Sequence, residues 1–136
     1  MLAQWNAALR LFLHWHVHFG SRDAVRYREA LVHPAVAVLR GAGRVLWLGG
    51  GDGLAVRGSL EYPSVEGSTL IDLDPEMTGL FSTHPVLSGL NQHSLTSART
   101  HVINADAFPW LDKVQDQFDL AVVDFPDPTS YSLGKL

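Results

Sequence analysis

The segment Gly49-Gly50-Gly51-Asp52-Gly53 constrains this chain more than any other, because it follows a short apolar run, Val45-Leu46-Trp47-Leu48, and precedes a helix-like stretch from Leu54. A strand, a glycine turn and a helix in that order form the unit with which α/β folds present backbone amides to nucleotide-like ligands. Asp52 makes this copy specific. A carboxylate inside the loop repels the pyrophosphate that ordinary dinucleotide loops draw to a helix N-terminus. The loop therefore predicts a ligand that is cationic or neutral at this point, as an adenosyl sulfonium compound is, and argues against a dinucleotide or a nucleoside triphosphate.

The flanking sequence supports this reading. From Val45 onward the pattern runs strand, helix, strand, helix, strand, short helix, strand, the signature of a parallel sheet wrapped by helices. Val45–Leu48 and Leu120–Val123 are uninterrupted apolar runs, as expected of strands covered on both faces. Ser68–Leu73 and Thr100–Asn104 are less apolar, which predicts positions nearer the sheet edge. Asp74-Pro75-Glu76 opens a helix: Asp74 suits the cap, Pro75 the first turn and Glu76 the positive end of the helix dipole.

Ahead of the loop, Arg10–Phe19 alternates apolar and polar positions, predicting a strand or hairpin. Ala24–Val32 reads as a helix or a short turn, Pro34 interrupts it, and Ala35–Arg40 reads as a second short helix ended by Gly41-Ala42-Gly43. The expected organisation is a strand and connecting helical region over 1–40 and a partial Rossmann-like domain, similar to class I methyltransferases, over 41–136. Helices are expected on both faces of its parallel sheet.

Composition removes several function classes. The 136 residues carry 10 Lys and Arg against 14 Asp and Glu, a net charge of −4, so no basic face for nucleic acid is expected. Cysteine is absent, which excludes disulfides and thiolate metal sites within these residues and is compatible with the cytoplasm. No apolar run approaches the roughly 20 residues of a membrane-spanning helix, and Met1–Leu9 lacks the pattern of a signal peptide.

Acids follow every strand of the predicted sheet. Asp72 lies 19 residues after Gly53, where a carboxylate accepts hydrogen bonds from both ribose hydroxyls. Asp106 follows the third strand; Asp124 and Asp127 follow the fourth. Ligands of parallel sheets bind outside the carboxyl ends of the strands, so these acids are expected to converge beside the glycine loop. Each taken alone is as well explained as a helix cap.

Taken in order, five segments resemble the polyamine aminopropyltransferases, the family of spermidine synthase. They are Arg26-Tyr27-Arg28-Glu29-Ala30-Leu31-Val32-His33-Pro34, the glycine loop, Leu70-Ile71-Asp72-Leu73-Asp74-Pro75-Glu76, Asn104-Ala105-Asp106-Ala107-Phe108, and Val123-Asp124-Phe125-Pro126-Asp127-Pro128. The resemblance implies a donor, decarboxylated S-adenosylmethionine, as co-substrate rather than prosthetic group. Gly49, Gly51 and Gly53 would cradle it, Asp52 would receive its aminopropyl ammonium, Asp72 its ribose and Asp106 its adenine amino group. It implies Asp124 as general base for the attacking amine, with Tyr27 and Asp127 holding a polyamine acceptor such as putrescine. No metal is implied, since a sulfonium is already an activated leaving group.

The Leu133-Gly134-Lys135-Leu136 ending resembles bacterial members, some of them fused to a membrane domain, and the family's sheet continues beyond a fourth strand. The chain therefore reads as a fragment, self-associating or dependent on a missing C-terminal half. Departures include Arg28, where relatives place His or Gln, His18, where they place Gln, and His14-Trp15 in place of an Asn-Gly hairpin turn. Two other classes stay open. One is a methyltransferase, which shares the sheet and loop but, when it acts on amino nitrogens, favours an aromatic motif over Asp124-Phe125-Pro126-Asp127. The other is a noncatalytic remnant of the donor fold. His14, His16 and His18 share one face of an extended strand, a spacing compatible with zinc but more simply an exposed polar face. Trp47 and Trp110 read as core.

Overall fold

A computed structural model describes residues 2–5, 8–13, 16–39 and 43–125, with those within 2–25 and 27–29 described by their backbone alone. Three short strands come first: β1 (Leu2–Trp5), β2 (Ala8–Leu13) and β3 (His16–Gly20), antiparallel in the order β1-β2-β3. The expected hairpin is the β2–β3 pair. Its alternation is interrupted by a register shift between Leu11 and Phe12, and its turn at His14-Trp15 lies outside the described residues.

Helix α1 (Ser21–Val38) runs straight through Pro34, where the sequence predicts a break between two helical pieces. Proline removes one backbone bond and crowds the preceding turn, which disfavours a continuous helix. Burial offsets that cost. Val32 and Val36, one turn apart on either side of Pro34, are both buried in the main core, and Val32 lies against Gly58 of the next helix. Tertiary packing of this face decides the outcome over local propensity.

The second sheet is the Rossmann-like part. Strand β4 (Gly43–Gly49) leads through the glycine loop into α2 (Leu54–Leu60), then β5 (Val65–Asp72), α3 (Pro75–Thr83), α4 (Pro85–Leu90), a 3₁₀ turn at Ser94–Thr96, β6 (Thr100–Asn104), α5 (Ala107–Leu111) and β7 (Leu120–Asp124). All pairings are parallel, in the order β6-β5-β4-β7. The chain steps outward from β4 to β5 to β6, then returns to the other side of β4. Right-handed crossovers therefore place helices of the first two connections on one face and those of the return on the other.

The two cores record this. Val45, Trp47, Leu70 and Val122 pack with α1, α2, α3 and α4, whereas Leu46, Leu48 and Ile71 pack with Ala107 of α5 and with Trp110 and Phe118. Successive strand residues point to opposite faces, so a run such as Val45-Leu46-Trp47-Leu48 serves both cores at once. Trp47 is wholly buried and Trp110 packs at the second core.

Two strand assignments change. β5 is an inner strand between β6 and β4, with Leu70 and Ile71 buried, not an edge strand. The reading of Leu120–Val123 as covered on both faces also fails: Val122 is buried, but Ala121 is exposed and Val123 is 56% exposed. Among the described residues β7 has a neighbour on one side only, and α5 is too short to cover the second face that far.

Candidate functional site

Strand order reverses between β4 and β7, and in open α/β sheets such a switch point, outside the carboxyl ends of the strands, is the crevice where ligands bind. Gly49 and Asp124 are register partners there. The glycines that follow are small because acids approach them. A Cβ on Gly50, whose φ is 79°, would lie 2.8 Å from Oδ2 of Asp124; a Cβ on Gly51 would lie 2.7 Å from Oδ2 of Asp72. Both separations are shorter than real side chains tolerate, so consecutive loop residues are reserved for two different carboxylates.

Asp72, at the end of β5, is fixed by the loop itself. The Gly51 N–H donates to its Oδ2 at 2.9 Å and the Asp74 N–H donates to its Oδ1 at 2.9 Å. Burial pushes the Asp72 carboxyl above its ordinary value of 3.8; the charges of Asp74 and Asp52 push the same way, while the two amide donors hold it down in part. Asp52 is 5% exposed, and its Oδ1 accepts the Leu54 N–H at 3.0 Å, opening α2. Asp124 is equally buried, at 5%. Three carboxylates thus surround one glycine loop.

Asp106 follows β6, whose end is tied to β5 by the Ala105 N–H donating to the Asp72 carbonyl at 3.1 Å. Its side chain is exposed and accepts the Phe108 N–H at 3.0 Å, capping α5. Asp74 caps α3 as expected, accepting from the amides of Glu76 and Met77, with Pro75 in the first turn. Asp52 meets the first amide of α2 and stands within the glycine loop, whereas Asp106 caps α5 after β6, two strands away from the β4–β7 switch point, and no hydrogen bond joins it to the other acids among the described residues.

Tyr27 and Arg28 lie on α1 and His16 and His18 on β3, but their side chains are among those not described. Asp127, with Pro126, Pro128 and the Leu133-Gly134-Lys135-Leu136 ending, lies outside the described residues, as does His14. No group of three or more His, Cys, Asp or Glu side chains capable of holding a metal occurs among the described residues.

Sequence reasoning missed the residues behind the loop. Asn91, fully buried just after α4, donates from Nδ2 to the carbonyls of Asp52 at 2.9 Å and Phe81 at 3.0 Å. Ser94, also buried, donates its hydroxyl to the Gly53 carbonyl at 2.7 Å. The signal available was a polar pair in a turn of otherwise ordinary composition, Asn91-Gln92-His93-Ser94. Nothing in that stretch announces burial.

Comparison with known proteins follows the same lines. Residues 24–134 match the family model described as the spermine/spermidine synthase domain. Over all 136 residues the chain is 54% identical to polyamine aminopropyltransferase 2 of Ralstonia nicotianae and 50% identical to a polyamine aminopropyltransferase of Leptospira interrogans, covering 27% of each. It thus spans about a quarter of the length of these curated relatives. Among solved structures it is similar in fold to a spermidine synthase in complex with the transition-state analogue AdoDATO, with TM-score 0.78 and 21% identity over 95% of this chain and 47% of that one. The spermidine synthase of Thermotoga maritima is likewise similar, with TM-score 0.75 and 19% identity over 90% of this chain and 46% of that one.

Proposed function

From the premise that this chain belongs to the spermine/spermidine synthase family, we propose that it carries the donor-binding half of an aminopropyl-transfer site, using decarboxylated S-adenosylmethionine as co-substrate and a polyamine such as putrescine as acceptor. The observation that carries this reading is the placement of Asp52, Asp72 and Asp124 around one loop. That loop offers a cationic ligand carboxylates where a phosphate-binding loop would offer only amides.

In this reading Gly49, Gly51 and Gly53 admit the nucleoside, Asp72 accepts its ribose hydroxyls, Asp106 its adenine amino group, and Asp52 its ammonium. An alkylammonium cannot attack carbon until it loses a proton, and Asp124 is the base that takes it. The freed nitrogen lone pair forms a bond to the carbon next to sulfur; the carbon–sulfur bond breaks, and sulfur keeps the electron pair as a neutral thioether. Tyr27 and Asp127 hold the acceptor. Residues 1–40 form the N-terminal region that brings Tyr27 toward the acceptor, with α1 seated on the core of the domain over 41–136, in a cytoplasmic enzyme that works as a homo-oligomer or with a further C-terminal half.

Calorimetry tests the charge argument directly. Decarboxylated S-adenosylmethionine is expected to bind more tightly than S-adenosylmethionine, whose extra carboxylate meets Asp52, and Asp52→Asn is expected to narrow the gap. Equal or reversed affinities in the unmodified chain would instead favour a methyltransferase. Little or no transfer to putrescine is expected of the 136-residue chain alone; with the missing half supplied, transfer is expected and is lost in Asp124→Asn with donor binding retained, whereas robust turnover by the 136-residue monomer would overturn the fragment reading.

A further inference from the structure

The side of the glycine loop away from the crevice is held by a polar cluster with no counterpart in the roles above. Asn91 and Ser94 reach the loop from 39 and 41 residues away in the chain. Asn91 Nδ2 bridges the carbonyls of Asp52 and Phe81, while Asn91 Oδ1 accepts the Ser94 N–H at 3.3 Å. Ser94 Oγ donates to the Gly53 carbonyl, which also accepts the Arg57 N–H at 2.9 Å. The fit is close: a Cβ on Gly53 would lie 2.8 Å from Ser94 Oγ and 2.9 Å from Asn91 Nδ2.

Between them, Gln92 and His93 adopt φ of 53° and 56°, a left-handed conformation that non-glycine residues rarely take. Two such residues in succession turn the chain so that Asn91 and Ser94 both face the loop. Backbone strain of this kind persists only where surrounding contacts fix it. The turn is held by the Gln92 and His93 amides donating to the carbonyls of Gly89 and Ser88 at the end of α4, and its side-chain bonds reach Phe81, Asp52 and Gly53.

We infer that Asn91 and Ser94 are positioning residues for the donor, holding the backbone of Asp52 and Gly53 from behind so that the Asp52 carboxylate is aimed at the ligand's ammonium. This rests on the reading of Asp52 as the ammonium acceptor. Rotation of the Asp52 peptide would break a buried hydrogen bond to Asn91, and an unpaired carbonyl in that setting is costly. The carboxylate on the same residue therefore has a restricted set of directions before any ligand arrives, the condition for preorganised recognition.

The test measures two ligands by calorimetry in the full chain: decarboxylated S-adenosylmethionine, and 5′-methylthioadenosine, the same nucleoside without the aminopropyl arm. Ser94→Ala is expected to weaken the first about fivefold, on the scale of one hydrogen bond, and the second less than about twofold. Asn91→Ala, where it folds, is expected to show a larger loss of the same selectivity. Ser94→Ala, the milder change, keeps the test decisive if Asn91→Ala does not fold. Parallel weakening of both ligands, or unchanged binding of both by folded Ser94→Ala, overturns the inference. Asp52→Asn separates the two levels. If it leaves the preference for the aminopropyl ligand intact, the Asp52 reading fails and the inference with it; if it erases the preference while Ser94→Ala does not, the positioning role alone fails.

Discussion

Asp72, proposed above to accept the ribose hydroxyls, would link folding to ligand binding through one side chain. Its carboxyl is raised above 3.8, chiefly by burial, so the folded chain holds that proton more tightly than the unfolded chain does. The stability Asp72 contributes is then fully present below the unfolded value and declines as pH rises through the raised folded value. Ribose hydroxyls are donors and favour the ionised form. Affinity for adenosyl ligands is therefore expected to increase as pH rises from about 4 through the raised value, with proton release on binding. Asp72→Ala is expected to cost about 1–3 kcal/mol of binding for all adenosyl ligands alike and to flatten that pH dependence. Calorimetry in buffers of different ionisation enthalpy checks both. A variant that binds normally, or keeps the same pH profile, would displace Asp72 from the ribose.

At the scale of elements, the turn between α4 and the 3₁₀ helix is where local preference and tertiary demand conflict. Gln92 is exposed and left-handed, a conformation that costs a non-glycine residue about 1–2 kcal/mol. Gln92→Gly is therefore expected to raise the thermal midpoint or leave it unchanged, whereas glycine in a regular helix costs about 1 kcal/mol. A clear fall in the midpoint would mean that the Gln92 side chain contributes more than the backbone strain removes. Features read correctly from sequence were those written locally: the glycine loop after an apolar strand, and the Asp74-Pro75-Glu76 helix start. Those that escaped depend on distant partners. Pro34 lies inside a helix because Val32 and Val36 find a core, β5 is central because β6 is added outside it, and Asn91 looks like any turn residue until Asp52 packs above it. The approach of Asp72 and Asp124 to the glycine loop was legible; the polar support behind Asp52 and Gly53 was not.

Across the whole molecule, the two faces of the second sheet are unequally covered. One face is shielded by four helices, whereas α5 leaves Val123 at 56%, Phe125 at 44% and Phe108 at 70% exposure, the last two with ring centroids 6.2 Å apart. Contiguous exposed apolar side chains beside a strand that has one neighbour among the described residues favour association. The 136-residue chain is expected to self-associate with increasing concentration, and Val123→Lys to shift it toward the monomer. Sedimentation that finds a monomer at all concentrations would contradict this. A different consequence follows from the β4–β7 pairing, which joins Arg44 to Asp119 across 75 residues of chain. Closing so long a loop carries an entropic cost that must be met before any contact rewards it. During synthesis at about 5–20 residues per second, the glycine loop would leave the ribosome roughly 4–15 seconds before its last acid. For that interval the nascent chain would carry the glycine loop without Asp124, so the site proposed above could be assembled only once β7 pairs with β4.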